Sequence, residues 1–179
     1  MYPKNDKVLE CFVDADFAVG WSTNESDDPA SVYLRTGYII KYRNCLILCA
    51  SKLKSKISLS TTEAEYIALS QSMREIIPMI EHQEQLEKML NIQSKLPIVK
   101  CKVFEDNKGV IKLAKAPKIR PRTKHIDLKY HHFKEHVRKG FIEINPIDTL
   151  KQVADIFKKA LPFPIFNYPR KNLMCWSKQ

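Results

Sequence analysis

The chain has 179 residues, of which 44% are hydrophobic and 28% charged, and 30 Lys and Arg against 20 Asp and Glu give it a formal net charge of +10. This length and composition predict one domain with a sizeable core, and the positive charge favours a polyanionic partner such as nucleic acid. Four glycines exclude a Gly-rich phosphate loop, five cysteines without a CxxC pair argue against a disulfide framework or zinc ribbon, and no run approaches the roughly 18 apolar residues of a membrane span.

The first part of the chain predicts three consecutive β-strands. Their β-prone runs are residues 9–17, 36–42 and 45–51. In the first run, Asp14 and Asp16 share one face, because strand side chains alternate between the two faces of a sheet. The second and third runs flank Arg43-Asn44, where we expect a hairpin turn.

A helix is predicted to begin at Ser60. Residues 60–63 (STTE) match the capping box, in which the Ser60 side chain accepts from the Glu63 amide while the Glu63 side chain reaches back. Pro78 has no amide hydrogen to donate inside a helix, so we expect the helix to bend or break there. The polar segment 81–91 then resumes it.

Strands and helices alternate in the second part of the chain. The predicted elements are a strand at 98–105, a helix at 107–116, a helix at 125–139, a strand at 141–145 and a helix at 149–161. The order βββ-α-β-α-α-β-α favours an α/β fold with a central sheet flanked by helices. We expect an N-terminal lead at 1–8, one domain at 9–161 and a Pro- and aromatic-rich tail at 162–179.

Most of the positive charge lies between residues 115 and 139. Nine Lys and Arg against two acids give this stretch +7 of the total +10. It favours binding to nucleic-acid phosphates, the alternative being a basic helix face that contacts only water. His132 and His136 are one helical turn apart, but HFKEH is not the HExxH motif of a zinc site. We therefore expect nucleic acid at this segment.

Four carboxylates stand beside residues that should be in the core, in the settings FVDAD, TEAEYIAL, VFEDN and VADIF: Asp14, Glu65, Asp106 and Asp155. Burying several carboxylates together is unfavourable unless cations neutralise them, and such oxygen ligands suit Mg²⁺ or Mn²⁺. Two neighbouring acids are rivals. Asp16 lies about 7 Å beyond Asp14 along the strand, and Glu63 is engaged if the capping box forms.

The most specific feature of the sequence is a set of five longer runs. They are VDADFA (13–18), LSTTEAEYIALSQS (59–72), EDNKGVIKLA (105–114), RTKHIDLKYHHFKEHVRKG (122–140) and QVADIFKKAL (152–161). Together they resemble the ribonuclease H domain of copia-type retrotransposon Pol polyproteins, in the family's order and over nearly the whole chain. The resemblance implies a ribonuclease H-like fold with a mixed five-stranded sheet. It also implies that Asp14, Glu65, Asp106 and Asp155 bind two Mg²⁺ or Mn²⁺ ions and catalyse hydrolysis of the RNA strand of RNA–DNA hybrids in reverse transcription.

Further residues are candidates for contacts to the hybrid. Those that could read 2′-hydroxyl groups are Ser60, Thr61, Thr62 and Asn107, and those that could bind phosphates or line the site are Lys118, Arg120, Arg122, Lys124 and His125. The expected partners are the hybrid and the reverse transcriptase domain of the same polyprotein, with no membrane. The expected location is a cytoplasmic virus-like particle or the nucleus.

One departure from the family pattern bears on activity. Many ribonucleases H carry a histidine between the final strand and the last acid that helps the product leave, whereas residues 146–150 (PIDTL) contain none. Turnover is therefore expected to be slow unless His125 substitutes. The alternative function is a catalytically idle nucleic-acid-binding or scaffolding domain. A transposase or integrase on the same fold would use fewer acids and would not need Glu65.

Overall fold

The computed structural model describes residues 8–16, 34–54, 58, 60–91, 99–116, 130–158 and 160–174. Within these ranges the strands are β1 (Leu9–Asp16), β2 (Leu34–Tyr42), β3 (Cys45–Lys54), β4 (Cys101–Glu105) and β5 (Ile142–Pro146). The α-helices are α1 (Thr61–Met89), α2 (Lys108–Lys115), α3 (Lys134–Arg138) and α4 (Phe163–Leu173). A first 3₁₀ helix (Thr149–Lys151) and a second 3₁₀ helix (Val153–Phe157) lie between β5 and α4.

The strands form one mixed sheet in the order β3-β2-β1-β4-β5. β2 is antiparallel to both β1 and β3, and β4 is parallel to both β1 and β5. The turn between β2 and β3 is the predicted hairpin, since Arg43 and Asn44 have φ angles of 53° and 66°, the left-handed pair of a type I′ turn. The predicted mixed five-stranded sheet with helices is confirmed.

The core lies between the sheet and α1. Cys11 and Val13 of β1 are fully buried and belong to the same apolar cluster as Tyr66 and Leu69 of α1. Each large side chain buried in this way stabilises the fold by about 1.5–3 kcal/mol. The packing fixes the first turns of α1 against the middle of the sheet.

Of the bend or break predicted at Pro78, the break is wrong, because α1 continues through this residue to Met89. Pro78 is exposed, so water can satisfy the backbone carbonyl that its missing amide leaves without a partner. Ile76 and Ile80 on either side are buried in the core. Tertiary packing thus holds the helix together across a residue of poor helix propensity.

The helix predicted at 125–139 is much shorter among the described residues. Only Lys134–Arg138 is α-helical, and residues 125–129 lie outside the described ranges. Tyr130 and Phe133, which precede this helix, are both buried. Burial of these aromatic residues does not require that they belong to α3.

The helix predicted at 149–161 is also wrong. Two 3₁₀ helices occupy residues 149–157, separated by Gln152 in an extended conformation (φ −72°, ψ 99°). The Gln152 side chain accepts from the amide of Ala154 and so caps the second 3₁₀ helix. Asp148 caps the first by accepting from the amide of Leu150 at 2.9 Å.

Residues 163–173 of the predicted tail form α4. Pro164 stands in the first turn of this helix, where its missing amide hydrogen is not needed. Pro169 is buried, and the Lys41 ammonium donates to the carbonyl of Asn172 at 3.2 Å. The division of the chain at residue 161 stays a prediction. Across the part of the chain that the structure describes, no helix has both the length and the apolar character needed to cross a membrane.

Candidate active site

Three of the four predicted acids meet at one edge of the sheet. Asp14 is near the end of β1, Asp106 directly follows β4, and Glu65 is in the second turn of α1. One carboxylate oxygen from each lies within 4.8 Å of the others. The parallel pairing of β1 and β4 explains this, because it places the carboxyl ends of both strands at the same edge. We call Asp14, Glu65 and Asp106 the three-acid cluster.

Asp14 is the most deeply buried member of the cluster, with 1% of its surface exposed. Its Oδ1 accepts from the amide of Ala15 at 2.7 Å. Burial raises the pKa of Asp14 above its ordinary value, although the nearby Lys158 ammonium opposes the shift. Asp16 is half-buried and outside the cluster, so the geometry favours Asp14 over its rival.

Glu65, and not Glu63, faces the other two acids. The Glu63 amide donates to Ser60 Oγ at 3.1 Å, so this half of the predicted capping box is present. Burial raises the pKa of Glu65 to about 7, while a hydrogen bond from the Asn107 side chain lowers it. Glu65 Oε2 is buried and has no hydrogen-bond partner among the described residues.

Asp106 is held in place by a hydrogen bond from a residue of the first 3₁₀ helix. Thr149 Oγ1 donates to Asp106 Oδ2 at 3.0 Å. The neighbouring Asn107 caps α2, its Oδ1 accepting from the amides of Gly109 and Val110 at 2.7 and 3.3 Å. The position of Asp106 is therefore fixed by a strand end, a helix cap and one hydroxyl group.

Asp155 is buried on the second 3₁₀ helix, outside the three-acid cluster. It is joined to that cluster through Lys158, whose Nζ lies 2.9 Å from Asp155 Oδ1 and 2.6 Å from Asp14 Oδ2. Burial alone would lower the pKa of Lys158, but the two carboxylates raise it above its ordinary value. We call Asp14, Lys158 and Asp155 the lysine bridge.

Lys158 was not among the site residues predicted from the sequence. One signal was available, since a lysine three residues after an acid can pair with it across a helical turn. Nothing in the sequence indicated that the same ammonium would also reach Asp14, which is far away along the chain. The contact with Asp14 depends on where the second 3₁₀ helix docks.

Gln152 positions that helix and was also missed. Its side chain is 2% exposed, and its Nε2 donates to the carbonyls of Val13 at 3.0 Å and Phe104 at 3.5 Å. These two carbonyls belong to the ends of β1 and β4, so one buried amide links both acid-bearing strands to the segment that carries Asp155.

Glu105 is a fifth acid at the same edge. It is fully buried, and its Oε1 accepts from the amide of Asn107 at 3.2 Å. Burial raises the pKa of Glu105 well above its ordinary value, and nearby Glu65 raises it further. Strand alternation could have found this residue, because Cys101, Val103 and Glu105 share the buried face of β4. We expect a structural role for Glu105, which holds the backbone amide of Asn107 next to Asp106.

The predicted hybrid contacts are only partly within the described ranges. Ser60 and Thr61 are exposed and Thr62 is half-buried at the start of α1, on the same side of the fold as Glu65. Their role in reading hydroxyl groups, like that of Asn107, stays a prediction. The predicted phosphate-binding residues lie outside the described residues: Lys118, Arg120, Arg122, Lys124 and His125.

Comparisons with known sequences identify relatives over most of the chain. No family model matches it. The retrovirus-related Pol polyprotein from transposon TNT 1-94 of Nicotiana tabacum is 32% identical over 158 residues, which are 88% of this chain and 11% of the relative. The Pol polyprotein from transposon RE2 of Arabidopsis thaliana is 31% identical over 169 residues, 93% of this chain and 10% of the relative. The chain thus spans about a tenth of the length of these relatives.

Comparisons with solved structures identify the fold. The N-terminal RNase H domain of rv2228c from Mycobacterium tuberculosis superposes with a TM-score of 0.53 at 9% identity, covering 96% of this chain and all of that one. LC11-RNase H1, isolated from compost by a metagenomic approach, gives a TM-score of 0.50 at 14% identity, covering 84% of this chain and 92% of that one. At such low identity the likeness concerns the fold alone.

Proposed function

Because the chain is a homologue of one segment of the Pol polyproteins of copia-type plant transposons and has the ribonuclease H fold, we propose that it hydrolyses the RNA strand of RNA–DNA hybrids with divalent metals. The observation that carries this proposal is the three-acid cluster, whose ligand oxygens lie within 4.8 Å of one another at the end of two parallel strands. The fold alone would be compatible with many functions.

The residues present fit a divalent metal of the magnesium type. The ligand atoms are all carboxylate oxygens, which Mg²⁺ and Mn²⁺ prefer. Glu65 Oε2 is buried without a hydrogen-bond partner among the described residues, and the burial that raises the pKa of Asp14 and Glu65 makes a nearby cation favourable. Bound there, divalent metals supply activation of water and stabilisation of the leaving oxygen in phosphodiester hydrolysis.

Two overlapping sets of carboxylates in this chain would bind the two metals. Asp14, Glu65 and Asp106 would hold one, and Asp14 together with Asp155 would hold the second. Thr149 and Gln152 keep these acids in place by hydrogen bonds to Asp106 and to the strand ends. Because Asp14 and Asp106 are fixed by the ends of two strands, these two carboxylates need little rearrangement when the first metal binds.

The test is cleavage of the RNA strand of an end-labelled RNA–DNA hybrid by the 179-residue chain with Mg²⁺ or Mn²⁺. Substitution of a residue that only hydrogen-bonds to a metal ligand lowers activity about 10–100-fold. Asp106→Asn alters a ligand itself and should therefore lower the cleavage rate at least about 100-fold. Binding of the Asp106→Asn variant to the hybrid, measured by fluorescence anisotropy, should be largely unchanged, because basic residues are expected to bind the phosphates of the nucleic acid.

Asp148→Asn is the matched control. Asp148 is a nearby exposed acid outside the three-acid cluster, and asparagine can replace it as the cap of the first 3₁₀ helix. This variant should cleave like the wild type. Wild-type protein that binds the hybrid and never cleaves it with either metal would contradict the proposal.

The alternative, an idle nucleic-acid-binding or scaffolding domain, is favoured by one observation. The Lys158 ammonium lies between Asp14 and Asp155, where a second metal would have to bind. Binding without cleavage in the same assay would support this alternative. The reverse transcriptase partner and the cytoplasmic or nuclear location suggested by the resemblance stay predictions.

A further inference from the structure

Lys158 occupies a defined place between two buried carboxylates. Its Nζ lies 2.6 Å from Asp14 Oδ2 and 2.9 Å from Asp155 Oδ1. Only 11% of the lysine side chain is exposed, against 1% for that of Asp14 and 9% for that of Asp155. Such a contact is poorly screened by solvent, unlike the exposed pair between Lys52 and Glu75 on the other side of the sheet.

The position of this ammonium is incompatible with a metal held by the same two oxygens. Mg²⁺ binds carboxylate oxygens at about 2.0–2.1 Å, so an ion coordinated by Asp14 Oδ2 and Asp155 Oδ1 would overlap the Lys158 Nζ. The lysine side chain would have to leave before such an ion could bind. The two cations therefore compete for the same pair of carboxylates.

The three-acid cluster is different in this respect. Among the described residues, neither Glu65 nor Asp106 forms an ion pair with a lysine or arginine. Only Asp14 is common to the cluster and the lysine bridge, and it has two carboxylate oxygens. A metal at the cluster would thus not require the Asp155 contact to Lys158 to break.

Resting on the proposed function, we propose that Lys158 is a built-in competitor for the second metal. The chain takes up one divalent ion at the three-acid cluster, and takes up a second between Asp14 and Asp155 only after Lys158 swings out. Lys158 follows the second 3₁₀ helix, and its flexible stem allows this movement without unfolding the helix. Lys158 is a positioning residue in this scheme and does not act on the substrate.

The first test measures Mn²⁺ binding to the metal-free 179-residue chain, without hybrid, by the electron paramagnetic resonance signal of free Mn²⁺. Wild-type protein should bind one Mn²⁺ tightly and a second at least about 10-fold more weakly, whereas Lys158→Met should bind the second about 10-fold more tightly than wild type does. Lys151→Met is the control, since it removes the same charge from an exposed position on the first 3₁₀ helix. It should behave like wild type.

The second test uses only the wild-type chain, so it does not depend on the folding of a variant. Titration of the wild-type chain with Mg²⁺ is followed by the ¹⁵N resonance of the Lys158 ammonium, which should move with the second equivalent of metal and not with the first. Equal Mn²⁺ binding by wild type and Lys158→Met, or a Lys158 resonance that stays unchanged up to metal saturation, would overturn the inference alone. If neither protein bound Mn²⁺ at all, the proposed function would fail with it.

Discussion

The two halves of the acidic site are built differently. The three-acid cluster is formed by the ends of two central strands and by a long helix packed on the core, which are rigid supports. The lysine bridge depends on a five-residue 3₁₀ helix that is docked against β1, β2 and α4. The chain itself thus supplies a cation to the lysine bridge, whereas Glu65 and Asp106 of the three-acid cluster have no lysine or arginine partner among the described residues.

The largest expected effect comes from the residue that both halves share. Asp14→Asn removes a ligand from the three-acid cluster and an ion-pair partner from Lys158, so it should abolish tight Mn²⁺ binding and lower hybrid cleavage at least about 100-fold. Asp155→Asn should affect only the lysine bridge and keep one Mn²⁺ site. Calorimetric titration of both variants with Mn²⁺ measures the difference.

Asp16→Asn is the matched control for this prediction. Asp16 is on the same strand and the same face as Asp14 but outside the cluster. Its substitution should leave metal binding within about twofold of wild type, since it changes no ligand. Loss of Mn²⁺ binding in this variant would mean that the first acid has been assigned to the wrong residue.

A smaller effect is expected at Gly37, where β2 passes under the second 3₁₀ helix. A Cβ at this position would lie 2.9 Å from both the Ala154 carbonyl oxygen and the Phe157 Cβ. Gly37→Ala should therefore displace the 3₁₀ helix and lower the free energy of unfolding by about 1–3 kcal/mol. It should weaken the lysine bridge while the three-acid cluster keeps its metal. Urea denaturation and Mn²⁺ titration test the two parts.

Ser51→Ala gives a graded companion to this variant. Ser51 Oγ donates to the Phe157 carbonyl at 2.6 Å, so its loss removes one tether of the same helix without a steric clash. The expected loss of stability is about 0.5–1.5 kcal/mol.

The Gly37→Ala variant also tests whether the two halves of the acidic site are independent. If it abolished metal binding at the three-acid cluster as well, the two halves would not be independent.

The last expected effect is the pH dependence that Glu65 adds. Its pKa is about 7 in the folded, metal-free chain, above the ordinary value of 4.5. Its contribution to stability is therefore fully present below about pH 4.5 and is lost as the pH rises through about 7, because the unfolded chain ionises more readily. Magnesium should reverse this trend, since binding to the ionised carboxylate releases the proton.

Melting temperatures near pH 5 and pH 8, with and without Mg²⁺, check the pH prediction. Glu65→Gln cannot titrate at this position, so it should show a smaller fall in stability with rising pH than wild type does. Asp14 contributes in the same direction, because burial also raises its pKa, and some pH dependence should therefore remain. Identical pH profiles for wild type and Glu65→Gln would contradict the assignment.

Features that depend on a local pattern could be predicted from the amino-acid sequence. Strand alternation and the hairpin residues indicated β1, β2 and β3, and the capping box indicated the start of α1. Apolar settings around four acids predicted that they would be buried together; Asp14, Glu65 and Asp106 do meet at one edge of the sheet, whereas Asp155 lies outside this cluster. These features follow from the chemistry of a few neighbouring residues.

Features that depend on contacts between distant residues became visible only in the tertiary structure. Burial of Ile76 and Ile80 keeps α1 continuous through Pro78, and hydrogen bonds from Gln152 to two strand ends hold residues 149–157 as 3₁₀ helices. The contact between Lys158 and Asp14 arises in the same way, since it joins residues far apart in sequence through the docking of one short helix. No local pattern encodes such a contact, because the attraction between the two charges becomes strong only where the folded chain excludes water.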